Sequence, residues 1–247
     1  NDPAVYISSN IVLNGGSIAK GIGNVTFDGD LTYDDNVGGL NFGNIYIGAS
    51  PAITDLESDL VCDSLTINAG DTLNTHGYDI DCAGDITIYG ILNATNNGGG
   101  NTNINLEGDW EVSGGTFTNT NSTVTFDGSI SSQTITSDGE SFNYLIIKST
   151  STYGVILADN LLVDSNLNLE AAVAQDVLLD ASINNVNVSI AGDIDFTGTG
   201  SGTESIHVGS GTWTVGGNID FSDGTVDAST STFVLNGSST QTLTMDG

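Results

Sequence analysis

Apolar side chains recur at every second position in short runs, among them Leu65-Thr66-Ile67, Ile80-Asp81-Cys82, Ile86-Thr87-Ile88 and residues 106–112 and 124–126. Alternation of this kind puts one face of the chain in a core and the other in solvent, which is the period of a β-strand. Clusters of Gly, Asn, Asp and Ser stand between the runs, as at 96–103 and 198–202, and they break helices and mark turns. Only 167–179 is apolar enough to be argued as a helix. Its counterpart in the repeat set out next, 65–73, alternates as strand, so both are read as strand. The predicted fold class is all-β.

A long internal repeat organises the chain. Residues 115–139, GTFTNTNSTVTFDGSISSQTITSDG, return at 224–247 as GTVDASTSTFVLNGSSTQTLTMDG. Upstream, VTFDG at Val25 to Gly29 returns at Val124 to Gly128, an offset of 99, and Ala83-Gly84-Asp85-Ile86 returns verbatim as Ala191-Gly192-Asp193-Ile194, an offset of 108. The period thus grows from about 100 to 109 residues by small insertions, and a fixed long period is the mark of a repeat architecture. Four segments follow: a cap or assembly segment over 1–24, one copy over 25–123, a second over 124–232, and the start of a third over 233–247.

Two architectures have a place for this period. Tandem β-sandwich domains of about 100 residues would need hairpins and Greek-key crossings. A parallel β-helix or solenoid needs a smaller coil of roughly 20 residues, each coil burying its inner face only against its neighbours. The cysteines favour the solenoid. Cys62 and Cys82 stand one such coil apart, and their counterparts are the apolar Val163 and Ile190, so both point inward. Equivalent positions on stacked coils lie about 4.8 Å apart, inside the Cα window of roughly 4.4–6.8 Å for a disulfide. A Cys62–Cys82 disulfide is therefore expected in an oxidising compartment, with two buried thiols as the alternative.

Charge narrows the surroundings in which the chain works. Lys20 and Lys148 are its only cations against 31 acids, giving a net charge of -29, so neither nucleic acid nor an anionic membrane surface is an expected partner. No apolar run is long enough to enter a bilayer as a helix. Charged residues make up only 13% of the chain, so the solvated surface consists mostly of Asn, Thr, Ser, Asp and Gly. A surface poor in lysine resists trypsin-like cleavage and suits an extracellular or cell-surface location. Asn1-Asp2-Pro3 shows neither the charged nor the apolar part of an export signal, so any signal has been removed or lies outside this sequence.

The SxxVTFDGSxSQTI run, the GTFT segments and the AGDI strands resemble the repetitive stalk regions of very large bacterial or archaeal surface proteins and adhesins, the β-helical filamentous haemagglutinin-like class. The resemblance runs from about Val25 onward and implies extracellular structural or adhesive work. It carries no catalytic residue with it. The expected function is a non-enzymatic structural one, as a rod-like stalk segment or the subunit of a filament. A module binding carbohydrate or a neighbouring cell is the alternative, and a polysaccharide-active β-helix enzyme the third reading.

Several residues could carry chemistry. Asp28, Asp30, Asp34 and Asp35 form the densest acidic cluster, and hard oxygen ligands on a turn suit calcium. Calcium is the one cofactor suggested, with a solvated turn as the simpler account. Asp79 and Asp81 flank Ile80, as Asp193 and Asp195 flank Ile194, in the manner of paired glycosidase carboxylates. The pairing at Asp79 and Asp81 is not repeated, since its counterparts are Asn187 and Ser189. His76 and His207 read as turn or surface residues, and Trp110 and Trp213 as core. Asn-x-Ser/Thr sequons begin at Asn24, Asn93, Asn121, Asn187 and Asn236. The final expectation concerns self-association. Val5, Tyr6, Ile7, Ile11, Val12 and Leu13 at one end, and Leu243 and Met245 at the other, could add strands head to tail into filaments or continue a longer array.

Overall fold

The computed structural model describes residues 4–48, 51–95, 100–198, 201–222 and 224–245, so the turn clusters predicted at 96–103 and 198–202 lie partly outside it. The described residues form β-strands, turns and irregular segments with no helix. They divide into two compact units, Asn1–Ser122 and Thr123–Gly247. Within each unit every strand pair is parallel, one coil apart, and the chain is a β-solenoid.

The first unit stacks its strands in three ladders. One holds β1 (Val5–Ile7), β3 (Asn24–Asp28), β5 (Asn44–Gly48), β8 (Ser64–Ile67), β11 (Ile86–Ile88) and β14 (Trp110–Val112). A second holds β2 (Ile11–Leu13), β4 (Leu31–Asp35), β6 (Ile53–Leu56), β9 (Thr72–Asn74), β12 (Ile91–Asn93) and β15 (Thr116–Thr118). The third holds β7 (Leu60–Cys62), β10 (Ile80–Cys82) and β13 (Asn103–Leu106). Register converts the alternation of the sequence into columns: Val25, Ile45, Leu65, Ile86 and Trp110 lie on one another, all buried. Burying one such side chain is worth about 1.5–3 kcal/mol, and no coil could bury its own without a neighbour.

The second unit repeats the plan. Its ladders are β16 (Thr123–Phe126), β18 (Tyr144–Ile147), β21 (Leu167–Leu169), β24 (Ile194–Phe196), β27 (Ile219–Phe221) and β30 (Leu243–Met245); then β17 (Gln133–Thr136), β19 (Val155–Leu157), β22 (Val177–Asp180), β25 (Glu204–His207) and β28 (Gly224–Asp227); then β20 (Leu161–Val163), β23 (Val188–Ile190), β26 (Thr212–Val215) and β29 (Thr232–Leu235). Each strand from β3 to β17 has its counterpart thirteen strands later, β3 answering to β16 and β14 to β27. The segment 167–179, read from its periodicity as strand, is two strands, β21 and β22, with a loop over 170–176 between them that is exposed from Ala172 to Asp176. Trp110 and Trp213 are core residues at 1% and 0% exposure.

Parallel pairing at offsets of about one coil excludes the sandwich alternative, in which neighbouring strands would be antiparallel hairpins. Val25 pairs with Ile45, twenty residues on, whereas Leu167 pairs with Ile194, twenty-seven residues on. The extra length of the later coils lies in loops outside the ladders. Where the corner stays short, the backbones come close. A Cβ on Gly90 would run into the carbonyl oxygens of both Asn68 and Asp71, so this two-residue corner needs glycine.

Candidate functional site

Three of the acids that looked chemical in the sequence, Asp30, Asp79 and Asp193, stand at coil corners directly before a strand, as do Asp59 and Asp85. Asp59 Oδ1 accepts from the backbone N–H of Asp79 at 2.9 Å, and Asp79 Oδ1 accepts from that of Asn103 at 2.7 Å. Asp85 Oδ1 accepts likewise from Asp109 at 2.8 Å. The second unit builds such corners from amides as well as carboxylates: Asn160 accepts from Asn187, and Asn187 from Thr212, both at 2.9 Å, while Asp193, the counterpart of Asp85, keeps its carboxylate and accepts from Asn218. Asn166 accepts from Asp193 at 3.0 Å, and Asn218 from Thr242 at 2.8 Å. An oxygen on a two-atom stem reaches the next coil, and it serves whether it belongs to a carboxylate or to an amide. Asp79, once a candidate acid, is thus a structural acceptor whose counterpart is Asn187.

This arrangement carries a prediction. Asp79→Asn should leave the melting temperature nearly unchanged, whereas Asp79→Ala should lower stability by about 1 kcal/mol through loss of the bond to Asn103. Equal losses in the two variants, measured by urea titration, would instead assign the contribution of Asp79 to its charge.

The cluster expected to suit calcium is spread over separate tasks. Asp35, 5% exposed, folds its carboxylate back onto the N–H groups of Val37, Gly38 and Leu40 at 2.9–3.1 Å. Asp30 Oδ1 accepts from the N–H of Ile53 at 2.9 Å, and Asp34 Oδ2 from the side-chain amide of Asn36 at 2.9 Å. Asp28 lies on the outward side of the ladder, next to Gly48 in register. Among the described residues no group of three or more His, Cys, Asp or Glu side chains gathers as metal ligands.

The histidines have neighbours that the sequence did not reveal. His76, in a turn with a left-handed backbone (φ 53°), places Nε2 at 2.9 Å from Asp55 Oδ1. The same oxygen accepts from Asn74 Nδ2, and Asn74 Oδ1 accepts from Asn93 Nδ2, so three outward side chains form a ladder along the coil axis. His207 lies between Asp180 and Asp227 in register, with Nδ1 at 3.6 Å from Asp180 Oδ2.

Asp195 shares its outward column with Asp220. Burial raises the pKa of Asp195 above the usual carboxylate range, and the charges of Asp193 and Asp220 add to this. Asp220 shifts the other way, because the hydroxyl and the backbone N–H of Ser222 both donate to it. A carboxyl whose folded pKa is raised gains stability as pH falls through that pKa and loses it as pH rises. Asp195→Asn should therefore raise the melting temperature at neutral pH, with the gain vanishing in acid where the wild-type carboxyl is already neutral. A gain that persisted in acid would contradict this assignment.

Cys82 lies on Cys62 in register, both fully buried and both thiols in this structure. Contact with the Cys82 thiol, then burial, pushes the Cys62 thiol well above its ordinary range. Cys62 is consequently a poor nucleophile as it stands. Tyr33 lies near Cys62, stacked on Phe27 and edge-on to Phe42 with ring centroids 6.0 and 5.9 Å away.

One feature was not anticipated. In the second unit three successive strand-to-strand intervals at the corner between the first and second ladders, after β18, β21 and β24, are seven residues long, where the intervals after β5, β8 and β11 of the first unit are four, four and two; the first two, 148–154 and 170–176, are loops. The first two loops and the outward faces of β22 and β25 bound an open polar groove of 440 Å³, lined by Thr150, Thr152, Gln175, Asp176, Ser205 and His207. The growing offset between the copies was its sequence signal. No known protein family, curated protein or solved structure matches this chain.

Proposed function

We propose that this chain is a non-enzymatic structural protein of the cell exterior, a stiff repeat segment of a surface stalk or the subunit of a filament. The observation that carries this reading is the unbroken rung-on-rung register within each unit, inside as apolar columns and outside as Asx corners. Such a ladder resists bending and gains length simply by adding coils. A chain with 31 acids and two lysines supports an exterior setting, as does the resemblance of the repeats to β-helical stalks.

On the first strands of the first unit Val5, Tyr6 and Val12 are exposed, and on the last strands of the second unit Leu235, Leu243 and Met245. Val5, Leu235, Leu243 and Met245 stand in columns whose next members, Val25, Val215, Ile219 and Phe221, are buried, so they offer a seat to a further rung of the same kind, from a longer array or a second copy, whereas Tyr6 and Val12 lie in the outward columns of Thr26 and Asp34. For a second copy, concentrated protein should form unbranched fibres in electron micrographs, and a variant lacking residues 1–13 should stay folded without forming them. Monodisperse protein at the same concentration would select the longer array. Turnover of pectin-like or alginate-like polymers would overturn the structural reading itself.

A further inference from the structure

We propose that the groove on the second unit binds a neutral saccharide, which gives the structural segment an adhesive site of its own. Its position argues for a built feature. Lengthening falls at one corner over successive coils, so the loops stack on one another and wall off the faces of β22 and β25. A solenoid needs no such loops to stand, as the short corners of the first unit show. Loop 170–176 also holds Ala174 in the left-handed region at φ 59°, a conformation that costs a non-glycine residue free energy and lies next to Gln175 on the groove wall.

The lining fits sugar hydroxyls, which both donate and accept. Thr150, Thr152 and Ser205 offer hydroxyls that can do either, and Gln175 offers an amide with one function of each kind. Among the described residues the side chains of Thr150, Thr152 and Gln175 donate no hydrogen bond, while Ser205 is held by Thr225 at 2.8 Å. Asp176 accepts from the N–H of Thr203 through one oxygen, and His207 is set by Asp180. Leu178 adds a half-buried apolar surface for the C–H face of a pyranose, and Tyr153, next in sequence to Thr152 and 70% exposed, offers a ring on which a sugar can stack.

Charge decides between saccharide classes. The groove lining contains no Lys or Arg, carries Asp176, and belongs to a chain of net charge -29, so uronate or sulfated polymers would be repelled. A neutral sugar loses nothing to that field.

The test uses the full chain against immobilised neutral hexasaccharides of glucose, mannose, galactose, xylose and N-acetylglucosamine, with an oligogalacturonate as the anionic control. Calorimetry on the best neutral hit then compares wild type with Gln175→Ala, Thr150→Val and His207→Phe, all surface changes expected to leave the melting curve intact. The expected result is a neutral ligand whose affinity falls at least tenfold in two of the three variants. A variant with residues 172–174 removed, approaching the corner length of the first unit, should melt normally and bind nothing. Failure of every neutral hexasaccharide to bind at millimolar concentration, preference for the oligogalacturonate, or a neutral ligand indifferent to all three substitutions would each overturn the proposal.

Discussion

Trp213→Ala should cost about 3–5 kcal/mol, the range for deleting a large aromatic from a packed core, and so remove much of a typical stability of about 5–15 kcal/mol. Trp213 is fully buried, lies between Val188 and Phe233 in register, and stands with its ring centroid 5.8 Å from that of Phe233. Its indole N–H donates to the carbonyl oxygen of Val208 at 3.4 Å, so truncation also takes away a donor inside the core. A solenoid coil has no second layer to collapse into the space. Its neighbours are fixed by the ladder above and below, and the cavity would stay open. Urea unfolding followed by far-UV circular dichroism measures the effect. A loss below about 1 kcal/mol would mean that the site relaxes, which a rigid register does not allow.

Oxidation of Cys62 and Cys82 should act in the opposite direction. The two thiols would lose two protons and two electrons to a disulfide oxidant such as oxidised glutathione, closing a loop of about twenty residues and stabilising by about 3 kcal/mol on the chain-entropy model. Side chains stacked in register stand about 4.8 Å apart, slightly beyond the usual Cβ separation of about 3.5–4.5 Å in a disulfide. The coils must therefore pinch together here, which takes back part of the gain. In the second unit Val163 and Ile190 occupy the counterpart positions, also in register, so packing there does not call for sulfur. Intact-mass analysis before and after reduction, paired with melting curves, checks the bond. Two alkylatable thiols surviving an oxidising incubation would remove it.

The strands were legible because their signal is local. Leu65-Thr66-Ile67 and Ile86-Thr87-Ile88 alternate within three residues, and the twenty-residue spacing of the cysteines gave the coil length. The corner ladder was legible in principle, since Asp79 becomes Asn187 and Asp109 becomes Asn218 at the same pre-strand position. A carboxylate that an amide can replace is serving as an acceptor. The partners of the histidines were not legible, because Asp55 and Asp180 stand 21 and 27 residues away from them and meet them only once a coil has closed. The groove failed for the same reason. Its loops are far apart in sequence, and only the closing of each coil brings them to one corner.

Electron microscopy of the native material bears most directly on a structural role. Straight fibres or rods, with diffraction at an axial spacing of about 4.8 Å from coils stacked along their length, are the expected result. Dispersed compact particles without that spacing, recovered as the native state at the cell surface, would contradict it.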